Sequence, residues 1–213
     1  MTELTTVNGG RLLVDCLVAQ GADRIFTVPG ESFLAVLDAL HDTPQIETVI
    51  CRQEGGAAFM ACADGAMTGK PGICFVTRGP GATNASIGVH VAMQDSQPML
   101  LFIGDVDRGM KDREGFQEVD FGQMFGPLAK LVLRIDDPRR IPEYVARAWN
   151  VAQSGRPGPV VIALPEDMLT DLADVADAKP FSPVVMKPGA DDMEALQRRL
   201  LAAKRPIVLA GGS

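Results

Sequence analysis

Six short apolar runs punctuate the first 164 residues: IFTV (25–28), ETVI (47–50), ICFVT (73–77), MLLFI (99–103), LVLRI (131–135) and VVIAL (160–164). They are continuous rather than alternating. A strand with one wet face alternates apolar and polar positions, whereas a strand covered on both faces does not, so these runs predict buried parallel strands. Between them, apolar residues return every three or four positions. Residues 7–20 place Leu12, Leu13, Cys16 and Leu17 on one side and stop at Gly21, a residue suited to a helix end. Helical spacing recurs over 32–40, 54–68, 82–93 and 141–152. Strands alternating with helices at this cadence predict βαβ units: an α/β fold with a doubly wound, mostly parallel sheet and helices on both faces.

The pattern changes after Leu164. Residues 165–190 are rich in Asp, Ala and Pro, including Pro180, Pro183 and Pro188, and read as an exposed linker. An amphipathic helix is expected over 191–204, with Met193, Leu196, Leu200 and Leu201 on one side. RPIVLAGGS then reads as a strand and a glycine turn. The expected organisation is one domain over 1–164, a linker over 165–190, and over 191–213 the truncated start of a second α/β domain.

Composition narrows the partners. Hydrophobic residues make up 46% of the chain, ample for a core. The 20 Lys and Arg against 27 Asp and Glu leave a formal charge of −7, which excludes nucleic acid or an anionic membrane as the main partner. No apolar run approaches the roughly 20 residues of a spanning helix. The opening MTELTT lacks the basic and apolar regions of a signal peptide, so a cytoplasmic protein is expected. Cys16, Cys51, Cys62 and Cys74 form no CxxC pair, and His41 and His90 have no ligand cluster, so no metal site is expected. The chain has 22 glycines and 15 prolines, and clusters of them mark the strand ends.

Those ends are where ligands sit in open α/β sheets. After the first strand, Pro29-Gly30-Glu31-Ser32 is either a helix-capping turn or a site where backbone approaches a ligand closely. After the second, Glu54 opens a helix followed by Gly55-Gly56-Ala57-Ala58. A carboxylate there is either a helix cap or an acid beneath a flat ligand, desolvated by Phe59 and Met60 and so kept protonated. After the third, Thr77-Arg78-Gly79-Pro80-Gly81-Ala82-Thr83-Asn84 has the position of a dinucleotide fingerprint. It lacks the third glycine, and the acidic residue expected about 20 positions on is missing. After the fourth, Asp105 precedes a charged loop, 107–118, holding Gly115-Phe116-Gln117-Glu118; it is either a lid or a solvated connection.

Taken in order, VPGE (28–31), the Glu54 segment, TRGPGATN (77–84), QDSQPML (94–100), GFQE (115–118) and GRPGPVVIALPED (155–167) resemble the N-terminal pyrimidine-binding domain of thiamine-diphosphate (ThDP) enzymes of the acetolactate synthase type. The resemblance runs from about Thr5 to Leu164, and the tail is similar to the start of that family's central domain. It implies that Glu54 hydrogen-bonds N1′ of the aminopyrimidine and favours its imino tautomer, so that the cofactor's C2 proton is removed and the resulting ylide attacks a 2-keto acid such as pyruvate. It implies that Pro29, Gly30, Glu31, Thr77, Gly79, Pro80, Gly81 and Asn84 line the pyrimidine pocket. Phe116 and Gln117 would approach the substrate across a dimer interface, and Arg156 would contact FAD where FAD is bound. A homodimer or homotetramer is expected.

Departures accompany the likeness. Gln53 stands where the family has histidine, Gly55 where it has glutamine, and Phe59 where it commonly has a further histidine. Asp105 replaces a neutral glutamine, and Glu166 a lysine. The Gly-Asp-Gly motif that holds Mg²⁺ and the diphosphate does not occur, so the resemblance places those ligands in a missing domain and implies that this chain is inactive alone. A non-catalytic dimerisation module and one subunit of a split decarboxylase are the alternatives.

Overall fold

The computed structural model describes residues 6–176, 179–182, 184 and 187–209. A short strand β1 (Thr6–Asn8) leads into α1 (Gly9–Ala19), β2 (Arg24–Thr27), α2 (Leu34–His41), β3 (Glu47–Ile50) and α3 (Glu54–Thr68). Then follow β4 (Gly72–Val76), α4 (Gly79–Gln94), β5 (Met99–Asp105), α5 (Phe121–Phe125), β6 (Leu131–Arg134) and α6 (Ile141–Gln153). The chain continues through β7 (Pro159–Pro165), α7 (Glu166–Thr170), β8 (Leu172–Asp174) and α8 (Ala190–Ala202).

All six apolar runs form one sheet, in the order β3-β2-β4-β5-β7-β6, with every neighbouring pair parallel. The fold is the doubly wound α/β architecture that the unbroken runs predict. Strand β5 shows why those runs do not alternate: Leu100 and Phe102 face the α1, α2 and α6 layer, Met99, Leu101 and Ile103 face the α3 and α4 layer, and all five are fully buried. Phe75 and Phe102, paired across β4 and β5, stack with centroids 4.5 Å apart.

Three local expectations are corrected. Residues 7 and 8 were expected to open a helix and 172–174 to lie in a linker, yet Thr6–Asn8 and Leu172–Asp174 pair as an antiparallel ribbon. Helix α7, just before that ribbon, buries Met168 and Leu169 in the α1 layer, so residues 165–174 fold back onto the body. Helix α4 starts at Gly79, three residues early, because the fixed φ of Pro80 suits a first helical turn where no amide partner exists. Residues 207–209 are exposed and outside any strand, for no sheet edge adjoins them among the described residues. The expected Gly211-Gly212 turn lies outside the described residues.

Two devices hold the site-bearing end. Helices α3 and α4 approach through small residues: a Cβ on Gly88 would fall 2.5 Å from that of Ala58, and one on Gly55 would fall 3.1 Å from the Asn84 carbonyl oxygen. At the strand ends, the nearly buried guanidinium of Arg78, after β4, donates to Glu166 after β7 (2.7 Å) and to Glu31 after β2 (3.2 Å). Gly88→Val should therefore destabilise the chain by about 2–3 kcal/mol in urea unfolding, while Gly109→Val, with open space around it, should change little. Glu166→Gln should cost about 1 kcal/mol or more, because it weakens a short bond to a buried cation. Glu31→Gln, 72% exposed, should stay within about 0.5 kcal/mol of the parent. Equal effects from the two would contradict the clasp.

Candidate functional site

Helix α3 has two polar residues at its N-terminus, and they divide the work. Gln53, which departs from the histidine of the resembled family, is the cap: its side-chain oxygen accepts from the Gly56 amide at 2.8 Å. Of the two roles open to Glu54, capping is thus already filled by its neighbour. Glu54 points instead across the α3–α4 seam, where the Asn84 side-chain amide donates to Oε2 at 2.9 Å. The other oxygen, Oε1, accepts no hydrogen bond among the described residues. It lies 3.6 Å from the place a Cβ would occupy on Gly81. That bare glycine leaves space above the carboxylate.

The seam makes this meeting possible. Side chains on both helices are Gly or Ala at the contact, so the backbones come close enough for a short Glu and a short Asn to touch. The desolvating wall expected from Phe59 and Met60 is not built. Both sit on the outer face of α3, 42% and 41% exposed, and leave Glu54 half-buried.

The neighbouring turns converge on the same end. A Cβ on Gly30 would fall 2.7 Å from Cβ of Thr77, and one on Gly81 would fall 2.9 Å from Cγ2 of Thr77. Ser32 Oγ and Thr77 Oγ1 are hydrogen-bonded at 2.8 Å. Gly30, Thr77, Gly81, Glu54 and Asn84 therefore form a continuous chain of contacts. Pro29, Glu31 and Pro80 lie on its rim, exposed, with Glu31 held by Arg78. Gly79 meets the loop: its missing Cβ leaves room for the Gln117 carbonyl oxygen, 2.7 Å away from where it would be.

The loop is pinned. Arg108 donates through Nε to Asp167 (2.8 Å) and through Nη1 to the Asp136 carbonyl (2.9 Å), and Glu118 accepts from the Asp112 and Gly115 amides at 2.6 and 2.8 Å. Those amide contacts hold the Glu118 carboxyl below its ordinary range. Gln117 takes a left-handed φ of +63°, an uncommon state for a residue with a side chain. Phe116 projects outward, 73% exposed.

Arg156 stands apart. Its guanidinium donates to Ser96 Oγ and to the carbonyls of Met93 and Gln94, closing the C-terminus of α4. That is roughly 15 Å along the helix axis from Asn84. Cys51, Cys62 and Cys74 are buried, and burial holds their thiols above the ordinary range, which suits inert packing residues. Among the described residues no three His, Cys, Asp or Glu side chains are grouped to hold a metal. No described helix is long and apolar enough to cross a membrane. Sequence reasoning passed over Arg78, although it lies inside the TRGPGATN string; its signal was a lone cation at a strand end between glycine turns.

Comparison with known proteins points the same way as the geometry. The family described as "Thiamine pyrophosphate enzyme, N-terminal TPP binding domain" matches residues 7–124, more than half of the chain. Acetolactate synthase of Bacillus subtilis (strain 168) is 36% identical over 204 residues, covering 95% of this chain and 36% of that protein. Acetolactate synthase isozyme 3 large subunit of Escherichia coli (strain K12) is 34% identical over 213 residues, covering 97% of this chain and 37% of its own length. The large subunit of Lactococcus lactis subsp. lactis (strain IL1403) is 34% identical over 209 residues, with 96% and 36% covered. The chain spans little more than a third of the length of these relatives. With six parallel strands in the predicted sheet and the Glu54–Asn84 pair at the glycine turns, the chain belongs to the thiamine pyrophosphate enzymes and corresponds to their N-terminal, cofactor-binding domain, in its acetolactate-synthase-like form.

Proposed function

We propose that the chain is the pyrimidine-binding part of a ThDP-dependent carboligase or decarboxylase acting on a 2-keto acid such as pyruvate, with Glu54 as its proton-handling residue. One observation carries the reading: Gln53 caps α3, which leaves Oε1 of Glu54 open over the Gly81 space while Asn84 holds Oε2. Bound ThDP supplies the carbon-acid chemistry that cleaves a bond beside a keto group.

The chain's own atoms fit the flat end of that cofactor. Because the Asn84 amide donates to Oε2, that oxygen is an acceptor, and a proton on the carboxyl belongs on Oε1. Oε1 would hold that proton for a ring nitrogen of the bound cofactor, beside the space that Gly81 leaves. Gly30 and Thr77 hold the neighbouring backbone close, and Gly79 and Pro80 fix the first turn of α4 beside it. The charged end of ThDP finds no counterpart, since the described residues group no metal ligands and the net charge is −7. Mg²⁺ and the diphosphate are therefore assigned to another part of the assembled protein. Exposed Phe59, Met60 and Phe116 beside the site suit cover by a second copy in a homodimer or homotetramer. Arg156 is engaged at the far end of α4, so FAD contact at that residue is not part of this reading.

In the enzyme assembled with its diphosphate-binding part, Glu54→Gln should slow exchange of the C2 proton of ThDP by about 10²–10⁴-fold, followed by NMR in deuterated buffer. Unchanged exchange would sink the role given to Glu54. The 213-residue chain alone should release no CO₂ from pyruvate in the presence of ThDP and Mg²⁺. Measurable decarboxylation would overturn the assignment of the diphosphate clamp to other residues.

A further inference from the structure

Asp105 ends β5 with only 5% of its surface exposed, an expensive place for a carboxylate. The structure supplies a cation from two strands away. Arg134, the last residue of β6, reaches across β7 and places Nε 3.2 Å from Asp105 Oδ2. Asp105 Oδ1 accepts from the Val106 amide at 2.8 Å. Burial pushes the Asp105 carboxyl above its ordinary range, with the neighbouring Glu118 and Asp136 adding to that push, so Arg134 and the Val106 amide are what favour its charged form.

The pair lies beneath the pinned loop. A cavity of about 640 Å³ separates them, lined by Asp105, Arg134, Gln117, Glu118, Phe121 and Val132. Val106, held by Asp105, packs against Gly115, where a Cβ would fall 3.3 Å from Cγ1 of Val106. Gly115 in turn donates its amide to Glu118, whose carboxylate also feels the Arg134 charge. Gln117, between them, rests on Gly79 at the start of α4. Contacts thus run without a gap from the ion pair to the turn that carries Phe116 and Gln117, and on to the helix that presents Asn84.

We propose that the Asp105–Arg134 ion pair is the positioning element that sets the Gly115–Glu118 turn against the first turn of α4. Its consequence for catalysis rests on the ThDP reading above: Phe116 and Gln117 face substrate only if this end of the sheet is the reaction site. The two residues are interdependent. Arg134→Gln leaves the buried Asp105 carboxylate without a cation, and Asp105→Asn leaves Arg134 facing only the more exposed Asp136 at 3.4 Å; either releases the turn.

The test uses the 213-residue chain without ThDP, so it stands or fails independently of the role given to Glu54. Amide hydrogen exchange is followed in Asp105→Asn, Arg134→Gln, the double variant and Arg134→Lys. Each neutralising variant should speed exchange of the Asp112 and Gly115 amides about tenfold, with the β5 amides of residues 101–103 unchanged as an internal check on folding. The double variant should be no faster than the faster single one, and Arg134→Lys, which keeps the charge, should retain most of the protection. Unchanged loop exchange in the single variants, equal acceleration in β5, multiplied effects in the double variant, or a lysine variant as fast as the glutamine one would each overturn the proposal.

Discussion

Everything at the site depends on how closely α3 approaches α4. Glu54 has two methylenes and Asn84 one, so their bond exists only because the helices touch backbone to backbone at Gly55, Ala58 and Gly88. A single added methyl at Gly88 would meet Ala58 at 2.5 Å, and the seam would have to open. Glycine and alanine here bring little apolar area to bury. Their contribution is geometric, and the large side chains behind them supply the stability that holds the seam closed: Phe75, Phe102, Leu100, Ile103 and their neighbours on both faces of β4 and β5.

The division of labour between Gln53 and Glu54 follows from the same crowding. A helix N-terminus has amides that need acceptors, and the nearest carboxylate would ordinarily serve. Because Gln53 supplies the oxygen, Glu54 keeps one carboxylate oxygen uncommitted at the positive end of α3. A carboxylate oxygen in that position is free to meet a ligand rather than the fold. Gln53, standing where the family usually has histidine, is what makes that division possible.

Much of this was legible in the chain. The six strands could be read because a strand buried on both faces is apolar without interruption, and β5 is the clearest case. The β1–β8 ribbon could not: three residues per strand carry no periodicity, and Val7 sits in phase with the helix that follows. Glu54 was legible as a residue with two possible roles, and only the coordinates show that the cap is Gln53. Phe59 and Met60 misled because hydrophobic side chains near a carboxyl in sequence need not face it; on α3 they turn outward. Arg156 is matched by sequence to a cofactor contact, yet its neighbours in space are the carbonyls closing α4. The Asp105–Arg134 pair joins residues far apart in sequence on strands that are not even adjacent, and no local pattern carries such a link.

The charges that the sequence left unexplained fall at two defined places in the topology. Strand β2 leads to α2 on one face and β4 to α4 on the other, so the sheet opens a crevice between their carboxyl ends. A second crevice opens between β5, which leads toward α5, and β7, which leads to α7 on the opposite face. Arg78 spans the first through Glu31 and ties it to β7 through Glu166. The Asp105–Arg134 pair closes the floor of the second. Beyond the paired strand ends the connections leave for opposite faces of the sheet, and polar side chains bridge them. One crevice is bridged by a buried cation with two carboxylate partners, the other by a buried carboxylate whose cation comes from two strands away. Both bridges act alongside the backbone pairing that reaches the strand ends.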